Sequence, residues 1–266
     1  MRLDRQLAEL VSVFDRHTEL AIAVSGGIDS MMLAHVAQRY SRVATTVVHA
    51  ISPAVPAEAT TRVRNHAQVH GWTLRLIDAG ELADPSYRSN PVDRCFHCKN
   101  NLYGHIRSST GLPIASGTNV DDLSDYRPGL TAARKYDVIH PYVEAGIRKR
   151  EIYAMAEAHA LKDLEVLPPQ PCLASRIETG IAVDETSLRF IESAEKGLAE
   201  LLPASGSIRC RITAAGVVLE CASLPDGEDR LRVERWAVAL CANNGRHFAG
   251  MRAYRRGAAF LRSVAA

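Results

Sequence analysis

The sequence predicts an α/β fold, in which a parallel sheet flanked by helices is followed by a smaller α+β domain. Between residues 20 and 160, short apolar stretches alternate with longer amphipathic ones. A glycine-containing turn joins the first apolar stretch to the next helix, and a proline-rich stretch near residue 170 ends the alternation. Such alternation is typical of parallel strands connected through helices.

The composition is that of an ordinary folded protein, with 266 residues of which 47% are apolar and 23% are charged. The first stretch, MRLDRQLAELVSVFDRHTEL, places Leu3, Leu7, Leu10 and Phe14 at helical spacing, which indicates an amphipathic helix and not a signal peptide. No apolar run approaches the roughly 20 residues needed to cross a bilayer. We therefore expect a cytoplasmic protein with no membrane partner.

The order of elements follows from the same patterns. Strands are predicted in LAIAVSGG, VATTVVHA, WTLRLID, LPIASGT and DVIHPYV, and helices in SMMLAHVAQRY, AEATTRVRNHAQVHG, CFHCKNNLYGHIRSS and RKREIYAMAEAHAL. Beyond EVLPPQPCLASRIETG, the prediction is a helix capped by Asp184 or Thr186, a hairpin in SIRCRITAAGVVLECA, another helix and an arginine-rich strand. The predicted parts are a first domain (1–165), a cysteine-bearing loop (166–183) and a small substrate or oligomerisation domain (184–266).

The stretch AIAVSGGIDSMM predicts a strand that turns through Ser25, Gly26 and Gly27 directly into a helix. The first amides of a helix have no partner within the helix, and together with the helix dipole they favour a phosphate. A Walker loop is excluded because its spacing and its lysine are missing, and a dinucleotide fingerprint would need a third glycine. A purely structural turn is the alternative.

Three carboxylates follow the predicted strand LPIASGT, at the edge where parallel sheets bind ligands. They are Asp121, Asp122 and Asp125. Carboxylates there could hold a magnesium ion that offsets phosphate charge. Helix capping is an equally common use of such residues.

The six cysteines, in a chain without an export signal, indicate thiol or metal chemistry rather than a disulfide framework. Cys95 and Cys98 form a Cys-x-x-Cys pair, and Cys172 lies in the distant proline-rich loop. A zinc site that also uses His97, a redox pair and a three-ligand iron–sulfur cluster with one open iron are all compatible with this pattern. The other three occupy apolar or alternating positions and should be buried: Cys210, Cys221 and Cys241.

The net charge of +2 is too small to indicate a nucleic-acid binder, but arginines are concentrated near the C-terminus. This cluster consists of Arg246, Arg252, Arg255, Arg256 and Arg262. It suits an anionic ligand, with a solvated strand face as the alternative.

The string AVSGGIDS resembles the SGGxDS signature of the PP-loop ATP pyrophosphatases, which cleave ATP between its α- and β-phosphates. Further strings, in the same order, resemble the LarE-type sulfur transferases of that superfamily: SPAVP, NPVDRCFHCK, SGTNVDDLSDYRPG, EAGIRKREI and PCLASRIETG. They span residues 20–180. The resemblance implies a PP-loop domain of the adenine nucleotide alpha hydrolase type with a smaller C-terminal domain.

The resemblance also implies a site that uses ATP and Mg²⁺. The implied nucleotide contacts are Ser25, Gly26, Gly27, Asp29, Ser30, Gly117, Asp122 and Arg127. The implied substrate contacts are Arg176, Arg209, Glu220 and Arg255. Surface ion pairing is the alternative for each of these four. Catalytic roles are implied for Asp29 and for the cysteines Cys95, Cys98 and Cys172.

The implied reaction adenylates a carboxylate of a small pyridinium mononucleotide and replaces an oxygen by sulfur, giving a thiocarboxylate for the nickel-pincer cofactor. Some members of the family sacrifice the cysteine of PCLASR, whereas others hold a [4Fe-4S] cluster with three thiolates. With Cys95, Cys98 and Cys172, this chain resembles the cluster type. The sequence leaves the sulfide source open, and we expect a homo-oligomer.

Three stretches depart from the family pattern: AARKYDVIHPYVEAG, VLPPQ and FAGMRAYRRGAA. A paralogue that thiolates another small carboxylate is therefore an alternative. Transfer RNA thiolation is a second alternative, although the sequence has no appended RNA-binding domain. A nucleotide-binding regulatory protein and an ammonia-using synthetase are further alternatives, and the latter would need no cysteines at the site.

Overall fold

The computed structural model describes residues 2–124, 127–203 and 205–255, and the chain divides into two compact units. The first unit consists of Met1–Glu81 and Cys95–Gln170, and the second of Leu82–Arg94 and Pro171–Ala266. A short segment within the predicted first domain therefore belongs to the second unit. The sequence patterns gave no sign of this exchange.

A four-stranded sheet forms the centre of the first unit. Its strands are β1 (Glu19–Ala23), β2 (Ala44–Ala50), β3 (Leu74–Ile77) and β4 (Ile114–Ser116). They are all parallel, in the order β3-β2-β1-β4. The α/β prediction is thereby confirmed. Because β1 lies between strands that come later in the chain, the loops after β1 and β4 leave neighbouring strands at the same edge, which is where such sheets bind ligands.

Helices surround this sheet and bury its apolar residues. They are α1 (Arg2–Phe14), α2 (Ile28–Tyr40), α3 (Ala57–His70), α5 (Arg94–Thr110), α6 (Gly129–Lys135), α7 (Pro141–Glu144), α8 (Lys149–Ala158) and α9 (Lys162–Glu165). Leu20 and Ile22 of β1 are inaccessible to solvent, as are Met31 and Met32 of α2. The continuous apolar runs at β1 and α2 thus form the core that fixes the start of α2.

The predicted strand DVIHPYV is wrong. Ile139 forms an isolated parallel bridge with Ala115, through backbone hydrogen bonds to Ile114 and Ser116. Pro141 then begins the short helix α7. Proline has no N–H to donate to a sheet, and its fixed φ suits the first turn of a helix.

The second unit contains a three-stranded sheet and two long helices. Its elements are α4 (Pro85–Arg88), α10 (Glu185–Leu201), β5 (Ile208–Thr213), β6 (Gly216–Cys221), α11 (Gly227–Asn243) and β7 (Phe248–Ala253). The β5 and β6 strands pair antiparallel, and β7 adds parallel to β6. The smaller α+β fold is confirmed, as is the burial of Cys210, Cys221 and Cys241.

No helix among the described residues combines the length and the apolar character that a membrane span requires.

Candidate functional site

The glycine loop joins β1 to α2 through residues 24–27, as the sequence predicts. The Ser25 backbone N–H donates to Ser30 Oγ (3.0 Å), which in turn donates to the Gly27 carbonyl (3.1 Å). Gly27 is the N-terminal cap residue of α2 and makes no side-chain hydrogen bond to its amides. The start of this 13-residue helix therefore presents backbone donors that a phosphate could accept.

Two glycines allow the backbone to pack closely around this loop. Gly26 has φ +83°, and a Cβ there would lie 2.7 Å from the Ala59 carbonyl oxygen. A Cβ at Gly117, which follows β4, would lie 2.8 Å from the Ser30 backbone nitrogen. The Gly117 backbone therefore passes directly against the first turn of α2.

The Asp29 carboxylate is held by side chains from two other segments. Lys149 Nζ lies 2.5 Å from Asp29 Oδ2, and Asn119 Nδ2 donates to Asp29 Oδ1 (3.3 Å). The buried Tyr142 hydroxyl donates to the Asp29 carbonyl (3.0 Å). Lys149 is the first residue of α8, so this helix brings a cation to the glycine loop.

Asp122 extends this network. Its Oδ2 accepts the Asn119 backbone N–H (3.1 Å), and Arg127 Nη2 lies 2.6 Å from its Oδ1. Burial raises the pKa of Asp122, and the nearby Asp29 charge adds to the effect, while Asn119 and Arg127 oppose it. Asn119 thus links Asp29 to Asp122, which in turn pairs with Arg127.

Asp121 has a different role, because it holds the start of α8. Its carboxylate accepts the Lys149 backbone N–H (2.9 Å) and pairs with Arg148 (2.7 Å). These contacts lower the pKa of Asp121, the Lys149 N–H contributing most. The capping alternative is therefore observed for this residue. Asp125 lies outside the described residues.

Arg62 of α3 is a further side chain at the loop that the sequence analysis did not identify. It donates to the Gly26 carbonyl (2.7 Å) and to Gln170 Oε1 (3.2 Å). Burial lowers its pKa. It also lines an open cavity of about 380 Å³ with Ala57, Glu58, Thr61, Asn65 and Asp163.

Cys95 and Cys98 lie in the first two turns of α5, three positions apart and therefore on one face of the helix. Both are half-buried thiols, and neither is in a disulfide. A Cβ at Gly129, the first residue of α6, would lie 3.6 Å from the Cys95 carbonyl oxygen. The pair is thus presented by a helix start against which α6 packs.

Cys172 belongs to the second unit, where it immediately precedes a 3₁₀ turn, Leu173–Arg176. Its carbonyl accepts the Ser175 backbone N–H (3.0 Å) and a bond from Arg176 Nη1 (3.1 Å). The thiol is half-buried. The backbone at Cys172 is therefore fixed by its own turn.

Arg176 is buried, with 4% of its surface exposed, and is fully engaged with the protein. It makes a two-point pair with Glu195, both bonds being 2.9 Å, and donates to the Pro171 carbonyl (2.6 Å). Glu220 has no exposed surface and pairs with Arg211 (2.8 Å) and Arg252 (2.9 Å). Both residues thus stabilise the second unit.

The other arginines of this unit differ in their surroundings. Arg209 lies over the Tyr254 ring, 5.5 Å from its centroid, and its pKa is lowered by burial and by the nearby Arg176. Arg255 is exposed beyond β7. Arg246 contacts Ser187 Oγ and the Phe190 ring. Arg256 and Arg262 are outside the described part of the chain.

Within residues 2–124, 127–203 and 205–255, no group of three or more His, Cys, Asp and Glu side chains is arranged to hold a metal ion. Cys95 and Cys98 lie in the first unit and Cys172 in the second.

Comparison with known proteins gives relatives over most of the chain, although no protein-family model matches. The chain is 32% identical over 197 residues to slr1717 of Synechocystis sp., a protein of uncharacterized function, covering 73% of each sequence. It is 24% identical over 200 residues to the uncharacterized protein MJ0830 of Methanocaldococcus jannaschii, covering 74% of this chain and 75% of the relative.

A third relative has a named activity. The pyridinium-3,5-bisthiocarboxylic acid mononucleotide synthase of Lactiplantibacillus plantarum is 24% identical over 199 residues, which is 73% of this chain and 72% of that protein.

Proposed function

We propose that this chain, which belongs to the same family as slr1717 and is similar to the pyridinium-3,5-bisthiocarboxylic acid mononucleotide synthase, is an ATP-dependent sulfur transferase. Its proposed substrate is a small carboxylated pyridinium mononucleotide in nickel-pincer cofactor biosynthesis. The observation that carries the proposal is the start of α2, where Asp29, Lys149 and Asn119 meet beside the glycine loop. Such a site suits pyrophosphate, because backbone amides and a lysine can share its charge.

In the first step, a carboxylate oxygen of the substrate attacks the α-phosphorus of ATP. The bond between this phosphorus and the bridging oxygen breaks, and pyrophosphate leaves with the electron pair. The amides at the start of α2 stabilise the negative charge on the leaving pyrophosphate. Lys149 Nζ, which pairs with Asp29 beside these amides, can replace that carboxylate with a phosphate oxygen as its partner. The product is an acyl adenylate, in which AMP is a good leaving group.

Asp29 and Asp122 fit a magnesium ion by donor type, since Mg²⁺ takes carboxylate oxygens together with substrate phosphates. Asp29 contributes to the raised pKa of Asp122, and a divalent cation would relieve this repulsion. The ion would supply charge compensation for the triphosphate. Lys149 would then move from Asp29 to the phosphates.

In the second step, hydrosulfide attacks the carbonyl carbon of the acyl adenylate. The bond from this carbon to the AMP oxygen breaks, which gives a thiocarboxylate and AMP and releases one proton to solvent. The step involves no net oxidation or reduction. Each cycle consumes one sulfide, which must come from an external hydrosulfide donor.

A cluster with three thiolate ligands fits Cys95, Cys98 and Cys172 by donor type, because cysteine thiolates are the usual ligands of iron–sulfur clusters. Two of these cysteines lie on one face of a helix, and the third precedes a turn that fixes its backbone. A [4Fe-4S] cluster bound there would offer an open iron for a labile sulfide. If Cys172 instead gave up its own sulfur, each chain would react once.

In the second unit, we propose that Arg209 and Arg255 contact the anionic substrate. Arg176 and Glu220 are already engaged with Glu195, Arg211 and Arg252, so they would act by holding the site together. The role of residues 184–266 in forming a homo-oligomer stays a prediction.

The test uses full-length protein purified without oxygen and supplied with ATP, Mg²⁺, sulfide and the dicarboxylate form of the pyridinium mononucleotide. We expect pyrophosphate and AMP to form together with a thiocarboxylate identified by mass spectrometry. Cys172→Ala and Cys95→Ala should still release pyrophosphate but form no thiocarboxylate. The matched control, Cys221→Ala, removes a buried thiol elsewhere and should leave both products.

Several results would contradict the proposal. Full thiolation by Cys172→Ala would remove the sulfur role of that loop, and amide formation from ammonia would indicate a synthetase. Sulfur incorporation into transfer RNA, tested in parallel, would favour the RNA-modifying alternative.

Iron and acid-labile sulfide analysis distinguishes the two sulfur routes. A brown protein that loses its visible absorption on replacement of any of the three cysteines would support the cluster, whereas a colourless protein with one zinc per chain would reject it. A Cys172 peptide lighter by one hydrogen sulfide after turnover would identify the sacrificial route.

A further inference from the structure

Asn90 lies in the segment Leu82–Arg94, which belongs to the second unit, and its side chain makes several hydrogen bonds. It has no exposed surface and a left-handed backbone conformation, with φ +55°. Its Nδ2 donates to the carbonyls of Glu178 (2.8 Å) and Ile181 (2.9 Å) and lies 3.4 Å from that of Ile177. Its own carbonyl accepts the Gly180 backbone N–H (3.0 Å). Asn90 thus makes hydrogen bonds to three residues of the turn that follows the Cys172 loop: Glu178, Gly180 and Ile181.

The oxygen of the same amide bonds to a different segment, the start of α5. Arg94 Nη1 donates to Asn90 Oδ1, and Arg94 is itself 2% exposed. Arg94 is the first residue of α5 and directly precedes Cys95. The Asn90 amide therefore joins the residue that leads into the Cys-x-x-Cys pair to the turn that leads away from Cys172.

This turn is also held from its other side, by strand β5. The Glu178 backbone N–H donates to the Ile212 carbonyl (2.9 Å), and Ile177 forms a parallel bridge with Ile212. Arg211 donates to the Ser175 carbonyl (2.9 Å). The segment from Cys172 to Ile181 is thus immobilised between β5 and Asn90.

Asparagine meets several requirements of this position at once. The carbonyls of residues 178 and 181 need an N–H donor, whereas Arg94 needs an acceptor, and an amide provides both. Aspartate would place oxygen against carbonyl oxygens, and alanine would leave buried carbonyls without a donor. The positive φ further favours asparagine or glycine.

We infer that Asn90 is a positioning residue for the sulfur step: within the second unit, it fixes Arg94, the residue that directly precedes Cys95, to the turn that follows the Cys172 loop. This inference rests on the proposed function, in which these thiols act together. The side-chain hydrogen bonds of Asn90 go to Arg94, Glu178 and Ile181 of the second unit, so we expect the ATP step not to depend on it.

The test compares Asn90→Asp with Thr213→Val, which removes a hydrogen bond from Thr213 to the Gly216 carbonyl in the β5–β6 hairpin of the same unit. Three quantities are measured on the full chain: pyrophosphate release, iron retained after anaerobic reconstitution, and linkage of Cys98 to Cys172 by a short bifunctional thiol reagent in a Cys95→Ser background. We expect Asn90→Asp to retain iron about 10-fold less well and to lose the linkage, with pyrophosphate release unchanged. Thr213→Val should match the parent chain in all three.

Asn90→Gly, which tolerates the positive φ but lacks the amide, is measured in the same way and decides the matter if Asn90→Asp does not fold. Linkage and iron equal to the parent would overturn the inference alone. Insolubility of both variants would assign Asn90 to folding and overturn it as well. Absence of linkage in the parent chain would defeat the proposed convergence of thiols, and the inference with it.

Discussion

Gly26 and Gly71 allow the effect of close packing at the glycine loop to be separated from backbone strain. Both have positive φ, +83° and +68°, so alanine is strained at either position, by about 1–2 kcal/mol. Only at Gly26 would the new Cβ also collide, at 2.7 Å from the Ala59 carbonyl oxygen; at Gly71 no atom lies within 4 Å. We expect Gly71→Ala to lose about 1 kcal/mol of stability and keep pyrophosphate release.

Gly26→Ala should lose about 1–3 kcal/mol more than Gly71→Ala, because the loop must shift away from α3, and its pyrophosphate release should fall sharply. Denaturant unfolding and a pyrophosphate assay measure the two effects. Equal losses in both variants would mean that the contact with Ala59 does not shape the loop.

The side chains around Asp29 show what a sequence pattern can and cannot reveal. The turn between β1 and α2 was predictable, because strand, glycines and helix are adjacent in the chain. Lys149 and Asn119 were present in the strings EAGIRKREI and SGTNVDDLSDYRPG, but their contact with Asp29 depends on α8 approaching the start of α2. Only the tertiary fold sets that approach.

Two helices of the second unit test how much an N-terminal cap contributes. Both α10 and α11 have 17 residues and an aspartate at the cap position. Asp184 accepts bonds from the Ser187 N–H (2.7 Å) and Ser187 Oγ (2.8 Å), whereas Asp226 makes no capping hydrogen bond from its side chain. We expect Asp184→Ala to lower the unfolding free energy by about 0.5–2 kcal/mol and Asp226→Ala to have a smaller effect.

Urea unfolding followed by circular dichroism would measure both variants. If Asp226→Ala lowered the unfolding free energy as much as Asp184→Ala, the loss would reflect the favourable interaction of each carboxylate with its helix dipole and not the capping hydrogen bonds.

Most long elements were predictable because their hydrophobic periodicity is strong, as in α1 and α10. The shortest helices were not. The helices α4, α7 and α9 have four residues each, too few to show a period, and Pro141 converted a predicted strand into α7. The sequence predicted a cap at Asp184 or Thr186, and the structure shows that Asp184 is the cap residue.

A cluster of histidines connects three helices of the first unit: His35 lies within α2, His70 ends α3 and His159 follows α8. The His35 ring lies 5.0 Å from that of His70 and 5.3 Å from that of His159, measured between centroids. His35 is 4% exposed, and neither ring nitrogen has a hydrogen-bond partner among the described residues. Burial, followed by the charges of neighbouring groups, lowers its pKa to about 4. Those groups are His70, His159, Arg39 and His66, and Asp163 pairs with His66.

This cluster predicts a loss of stability in mild acid. The pKa of His35 falls from 6.5 in the unfolded chain to about 4 in the folded one, so the unfolded chain binds more protons between these values. Unfolding free energy should therefore decrease as pH falls from about 6.5 towards 4, by up to about 3 kcal/mol from this residue.

Thermal unfolding of the parent chain and of His35→Leu at pH 7 and pH 5 would measure this effect. The variant should show a smaller difference between the two pH values, because it removes the group that titrates. His17→Leu, near the end of α1, provides the control and should behave as the parent. An unchanged pH difference in His35→Leu would place the acid sensitivity elsewhere.

The division into two units was the least predictable feature of the chain. Composition and periodicity describe neighbours in sequence, and they correctly distinguished a parallel α/β part from a later α+β part. The assignment of Leu82–Arg94 to the second unit depends on bonds such as those from Asn90 to Glu178, between residues almost 90 positions apart.

The exchange of Leu82–Arg94 has a practical consequence for protein engineering. A gene cut after Gln170 would encode every residue of the first unit, but it would also encode Leu82–Arg94 without the rest of the second unit, against which this segment packs. Conversely, expressing the chain from Pro171 onward would omit a piece of its own interior. To express either unit as a separate protein, the gene would therefore have to be redesigned so that Leu82–Arg94 is removed from the first unit and joined to the second.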